Sequence, residues 1–310
     1  MSLNIINGKT IFSWNVPAYL NGNPYEFAKG LFEAGFEGVC LKGGDGINVF
    51  KQKHLGPWPL WGENIKDELV TALRKYRISV YIWHYIYGVD PIGELQVANN
   101  LCSRFKPDGY IWNPEGAFDS KPNAEDSARF ISKKLNESHP NISQGLCWWA
   151  LPKNPANFAI EWHPIRVAKA FLETVDVLMP MVYWMGRTSS DAISYLTKSL
   201  SIWETIGNFR LMPIGRAYIG DSGSIDPLAI TAFANNVDLL KVEKNIVGIS
   251  WWSLDHVHSN YFAWDALKRS PKFVKIIFDP NRLPNDEKLN RLVSAHKDLF
   301  PDLFIKDEEG

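Results

Sequence analysis

The side chains able to do chemistry in this sequence cluster just past the ends of short apolar runs. In chain order they are Trp14 with Asn15, Lys42 with Asp45, His84 with Tyr85 and Tyr87, and Asn113 with Glu115 and Asp119. Then come Trp148 with Trp149, Tyr183 with Trp184 and Arg187, Arg216 with Tyr218 and Asp221, and Trp252 with Asp255 and His256. Aromatic rings in such places stack on the apolar C–H faces of sugars while polar neighbours take the hydroxyls, so the set reads as a carbohydrate cleft. It is rich in aromatics and short of carboxylates, and Glu115 is one of the few. In an extended segment Ile111, Asn113 and Glu115 share one face and Tyr110 and Trp112 the other, so Asn113 stands beside the acid and Trp112 packs away from it.

Composition agrees with a neutral ligand. Thirty-three basic residues stand against 34 acidic ones, a net charge of -1, which leaves no excess to neutralise a phosphate backbone and speaks against nucleic acid as a partner. No apolar run reaches 18 residues, so no membrane partner is expected, and the opening MSLNIINGKTIF lacks the layout of a secretory signal. The expected location is the cytoplasm, or outside the cell after lysis or as a component of a larger particle. Three separated cysteines, Cys40, Cys102 and Cys147, lie in apolar stretches and read as reduced thiols. His256 and His258 alternate like metal ligands without an apparent third, so no metal and no cofactor is expected. Thirteen tryptophans are present, where usage near ~1.3% would give about four. Trp14, Trp148 or Trp149, Trp184 and Trp252 are assigned to the cleft, and Trp112, Trp162, Trp203 and Trp264 to packing.

The elements that must position these groups alternate between strand and helix. Strand patterns occur at 10–15, 38–42, 79–85, 109–113, 144–150, 175–183, 210–214 and 247–252, with helical periodicity at 25–34, 65–75, 92–104, 124–137, 165–172, 190–204 and 227–237. Pro24 after Asn23, Pro227 after Asp226, and Gly35 mark helix ends. Eight such units in about 270 residues predict an α/β fold, a single (β/α)8 TIM barrel over residues 1–270. Residues 271–310, with a helical pattern at 287–296, are expected to form a short helical extension packed on the barrel. No Gly-rich phosphate turn follows the first strand, which argues against an open dinucleotide-binding sheet. Lys42-Gly43-Gly44-Asp45-Gly46 lacks the spacing of one and reads as a turn.

On the fourth strand, Asp108-Gly109-Tyr110-Ile111-Trp112-Asn113-Pro114-Glu115 resembles the D-G-x-D-x-D-x-E segment of glycoside hydrolase family 18, the chitinase-like hydrolases. Asp108, Gly109 and Glu115 match, whereas Ile111 and Asn113 replace acidic residues. Met181-Val182-Tyr183 resembles that family's M-x-Y on the sixth strand, and Trp252-Ser253-Leu254-Asp255 its W-S-L-D on the eighth. The resemblance implies that Glu115 protonates the leaving group, that Tyr183 and the residue at 113 hold the substrate's 2-acetamido group, and that Trp252 floors the cleaved-sugar subsite. Asn113 can accept a hydrogen bond there but cannot carry charge.

The expected function is therefore acid-assisted, substrate-assisted retaining hydrolysis of an N-acetylglucosamine-containing polymer, chitin-like or peptidoglycan-like. Catalytic roles fall to Glu115, Asn113 and Tyr183, and substrate contacts to Trp252, Trp14, Trp148, Trp184, His84, Asp255 and Arg216. Two rivals stand beside it. One is a catalytically silent carbohydrate-binding or structural barrel, which Ile111 and Asn113 favour; the other is a lysozyme-like muramidase similar to glycoside hydrolase family 25, with Asn113-Pro114-Glu115 in place of its acid pair.

Overall fold

A computed structural model describes residues 5–52, 62–186, 188–218 and 226–273. Among them, eight parallel strands close into a barrel: β1 (Gly8–Ser13), β2 (Gly38–Asp45), β3 (Ser79–Ile86), β4 (Gly109–Pro114), β5 (Ser143–Trp149), β6 (Val177–Val182), β7 (Ile214–Arg216) and β8 (Gly248–Trp252). Each strand pairs with its sequence neighbours, and β1 pairs with both β2 and β8 to close the ring. The fold is the (β/α)8 barrel that the alternation predicts, with residues to Phe273 in one compact unit. The expected extension lies outside the described residues.

The helices are α1 (Pro24–Glu33), α2 (Asp67–Lys75), α3 (Pro91–Phe105), α4 (Ala124–Ser138), α5 (Ile165–Leu172), α6 (Ser189–Ile206) and α7 (Pro227–Leu240). A short α8 (Leu254–Val257) and α9 (Tyr261–Arg269) follow β8. Several of their starts are set by side chains that satisfy free N–H groups of the first turn. Asn23 accepts from Tyr25 and Glu26, Asp226 from Leu228, and Thr188 and Asp191 form a reciprocal capping box. Gly35 closes α1 at φ +73°, a conformation that glycine adopts without Cβ strain.

The seventh strand departs from expectation. Its ladder begins at Ile214 rather than Arg210, because Pro213 has no N–H to donate, and Leu211 is left as an isolated bridge to Leu178 and Ile246.

Strand alternation sorts the core into two layers. Inward residues, among them Phe12, Cys40, Tyr81, Trp83, Ile111, Cys147, Met179, Met181 and Ile214, fill the barrel. Outward residues, among them Ile82, Tyr110, Trp112, Leu146, Trp148, Leu178 and Trp251, pack beneath the helices. At the lower end of β1 sits a fully buried charge. Lys9 Nζ donates to the carbonyls of Leu267 (2.5 Å), Ser270 (3.2 Å), Lys268 (3.3 Å) and Ala34 (3.4 Å), closing the C-terminal end of α9 onto the first strand. Burial pulls this ammonium down to about 8, helped by Lys272 and opposed by Glu37.

Candidate active site

In this architecture side chains at the C-terminal strand ends point into an open mouth above the packed interior. Phe12, Trp83 and Trp252, from β1, β3 and β8, form an aromatic floor. Trp252 lies 5.6 Å from Phe12 and 5.4 Å, edge-on, from Trp83. Trp83 Nε1 donates to the Ser13 carbonyl (3.3 Å). Trp252 is half-buried with its ring on the barrel side, and the peptide that follows it is cis.

Glu115 stands on the β4 side of this floor, just past Pro114. Its Oε1 accepts from Asn113 Nδ2 at 3.0 Å. Burial raises its carboxyl above the ordinary range, against the hydrogen bond from Asn113 and the field of the Lys42 ammonium. The same carboxylate helps to raise the phenols of Tyr85 on β3 and Tyr183 after β6, and the thiol of Cys147 on β5, although burial is the larger cause in each. Glu115 is thus the charge shared by inward groups of three other strands. Asn113 is 5% exposed, and its Oδ1 is buried without a hydrogen-bond partner among the described residues. A buried carbonyl left unpaired costs roughly 1 to 3 kcal/mol, so this oxygen is an acceptor awaiting an N–H. Tyr183 packs edge-on to Tyr218 (5.7 Å) beside it.

Of the residues assigned from sequence, Trp14, Tyr183 and Trp252 pack against the barrel-interior cluster, and Glu115, hydrogen-bonded to Asn113, lies close enough to Tyr183 to act on its phenol. Trp14 is half-buried against the barrel interior. Its N–H donates to Asp255 Oδ2 (2.9 Å), and its carbonyl accepts from Gln52 Nε2 (2.5 Å).

The remainder are placed otherwise. Trp148 is fully buried under the helices, and its neighbour Trp149 is the inward residue of β5, stacked on His163 at 4.1 Å and 10°. Trp184 also faces outward, against Phe233 (5.2 Å). Asp255 accepts from the Ser13 hydroxyl and the Trp14 and Asn15 amides, so it anchors the end of β1. Arg216, by contrast, is inward at the end of β7, in register with Trp252; it is 4% exposed and bridges the carbonyls of Trp184 (2.8 Å) and Tyr218 (3.2 Å). Trp162, assigned to packing, is 49% exposed beyond a hairpin of 153–154 with 157–161. Arg187 and Asp221 lie outside the described residues. Asp119 faces His163 Nδ1 at 3.8 Å.

His84 is an outward residue of β3, fully buried, with Nδ1 2.8 Å from the Tyr110 hydroxyl and Nε2 2.7 Å from the Gly46 carbonyl. It is a structural bracket and does not reach the cleft. Burial lowers its pKa to about 4. The folded state then holds fewer protons than the unfolded state between pH 6.5 and 4. Its contribution is therefore complete above pH 6.5 and is lost as pH falls to 4, about 3 kcal/mol in all. Urea unfolding across that window is expected to show this loss, and His84→Gln to flatten it; an equally steep acid limb in the variant would assign the loss elsewhere.

No protein-family model matches the chain, and no curated protein matches it. Solved structures match it through the fold. A glycoside hydrolase family 18 chitinase from Pseudoalteromonas aurantia is 11% identical with a TM-score of 0.60, over 85% of this chain and 99% of that one. The spore cortex-lytic enzyme SleL of Bacillus megaterium is 10% identical with a TM-score of 0.61, over 87% and 75%. A xylanase-A-amylase inhibitor protein is 12% identical with a TM-score of 0.53, over 85% and 98%. The chain therefore has a barrel of the kind found in glycoside hydrolases, which a protein named as an inhibitor also shares, so function has to be argued from the site.

Proposed function

We propose that this protein is a glycoside hydrolase acting on an N-acetylglucosamine-containing polysaccharide, with Glu115 as proton donor and the substrate's own 2-acetamido oxygen as nucleophile. The observation that carries the reading is the unpaired Asn113 Oδ1 next to a carboxyl whose proton affinity burial raises. An acetamido N–H would satisfy that acceptor. Tyr183 would hold the acetamido carbonyl as it attacks the anomeric carbon, and Glu115 would pass its proton to the departing oxygen. Water then opens the cyclic intermediate, with Glu115 accepting the water proton. Trp252 supplies the flat apolar surface beneath the ring.

The acetamido group separates this chemistry from a two-carboxylate mechanism. Aryl N-acetylglucosaminides and chitin oligosaccharides are expected to be hydrolysed, and aryl glucosides, with a hydroxyl at the same carbon, to be inert. Equal rates on both sugars would sink substrate assistance.

A second reading, a silent carbohydrate-binding barrel, draws on Ile111, which is fully buried in the barrel interior where the resembled family carries an acid. In that case oligosaccharides bind with no turnover.

A further inference from the structure

The segment Lys42-Gly43-Gly44-Asp45 breaks the two-residue rhythm of its strand. Pairing between β2 and β3 runs Leu41 with Ile82 and Lys42 with Trp83, skips Gly43, and resumes as Gly44 with His84 and Asp45 with Tyr85. In a regular strand, residues three apart face opposite sides; one extra residue returns them to the same side. Lys42 and Asp45 therefore both lie beside the inward residues Trp83 and Tyr85. The inserted Gly43 and the Gly44 that follows it both need to be glycine, because a Cβ on Gly43 would come within 2.6 Å of Ile82, and one on Gly44 within 2.3 Å of the His84 ring. The bulge is pinned by Phe50 N–H to the Gly43 carbonyl (2.7 Å), Asn64 Nδ2 to the Lys42 carbonyl (2.9 Å) and His84 to the Gly46 carbonyl.

The bulge delivers an ion pair framed by rings. Lys42 Nζ lies 2.8 Å from Asp45 Oδ2, and 4.2, 5.1 and 5.7 Å from the ring centres of Phe50, Trp83 and Tyr85. Asp45 Oδ1 accepts from the Tyr87 hydroxyl at 2.8 Å. The two side chains keep 13% and 30% of their surface open. An ammonium has three donors, and Asp45 uses one of them. A lysine and an aspartate side by side thus offer a donor and an acceptor that a single hydroxyl can use together, its oxygen accepting from Lys42 and its hydrogen going to Asp45. The pair carries no net charge, which suits a neutral ring.

We propose that Lys42 and Asp45 form the hydroxyl-reading wall of a sugar subsite adjoining the one served by Glu115, and so select the neutral pyranose accepted beside the cleaved bond. The proposal rests on the reading of the mouth as a glycan cleft.

The test compares tetra-N-acetylchitotetraose, which spans several subsites, with an aryl N-acetylglucosaminide, which presents one sugar. In Lys42→Met and Asp45→Asn the KM for the tetrasaccharide is expected to rise about 10-fold or more, by loss of a charged hydrogen bond, with a smaller effect on kcat. The loss on the tetrasaccharide should exceed that on the aryl monosaccharide. Equal losses on both would show that Lys42 acts only through its field on Glu115, and an unchanged tetrasaccharide KM would show no contact; either overturns the proposal. Tyr87→Phe removes only the phenol that orients Asp45, and should give a smaller loss of the same kind if Lys42→Met does not fold; no such loss overturns the proposal. A wild-type protein that neither binds nor cleaves the tetrasaccharide ends the glycan reading and this one together. Cleavage by wild type with indifferent variants ends this one alone.

Discussion

Glu115→Gln is expected to lower kcat on an N-acetylglucosaminide by about 10²- to 10⁴-fold, the usual contribution of a positioned general acid. Glutamine keeps the shape and can still face Asn113, so KM should move far less than kcat. The pH profile gives an independent check. Catalysis needs the acid form, so the rate falls as pH rises through the pKa of Glu115. Burial has moved that pKa above the ordinary carboxylate range. The basic limb of the wild-type profile should therefore lie above pH 4.5, the reference value for a glutamate, and should vanish in the variant. A Gln variant with wild-type kcat and the same basic limb would remove Glu115 from the mechanism.

Asn113→Asp is expected to act in the opposite direction. The amide can accept the acetamido N–H but cannot offset the positive charge that develops at the anomeric carbon and on the acetamido nitrogen. Restoring a carboxylate should stabilise the transition state by about 2 to 4 kcal/mol, the scale of one preorganised electrostatic group, or ~30- to 800-fold in rate. A second negative charge 3.0 Å from the Glu115 carboxyl, where the Asn113 amide now donates, should also raise the proton affinity of Glu115, so the basic limb moves to higher pH. Measurement of kcat and its pH profile in this variant separates a weakened enzyme from a silent binder. Binding without any gain in rate would favour the silent barrel.

The barrel could be read from sequence because eight apolar runs and their caps repeat locally: Asn23 before Pro24 and Asp226 before Pro227 start helices where expected. The two-residue alternation that turns Trp112 outward and Asn113 inward likewise turns Trp149, Tyr183 and Tyr85 inward and Trp148, Trp184 and His84 outward. Other features left no local trace. The bulge at Gly43 and Gly44 changes the parity of β2, so Lys42 and Asp45 face together although their spacing says otherwise. Asp255 seals the end of β1 from 240 residues away, and the Trp149–His163 stack depends on where a hairpin returns. Those contacts arise from closure of the ring.

The Lys9 clamp bears on the order in which the protein can be made. The first strand leaves the ribosome before the rest of the barrel, yet three of the four carbonyls that surround its ammonium belong to residues 267–270, and one of its two strand partners is β8. Until nearly the whole barrel has been synthesised, Lys9 must stay hydrated and one edge of β1 must stay open, the condition in which strands recruit wrong neighbours. A nascent chain halted before β8 carries both a solvated charge destined for the interior and an exposed edge.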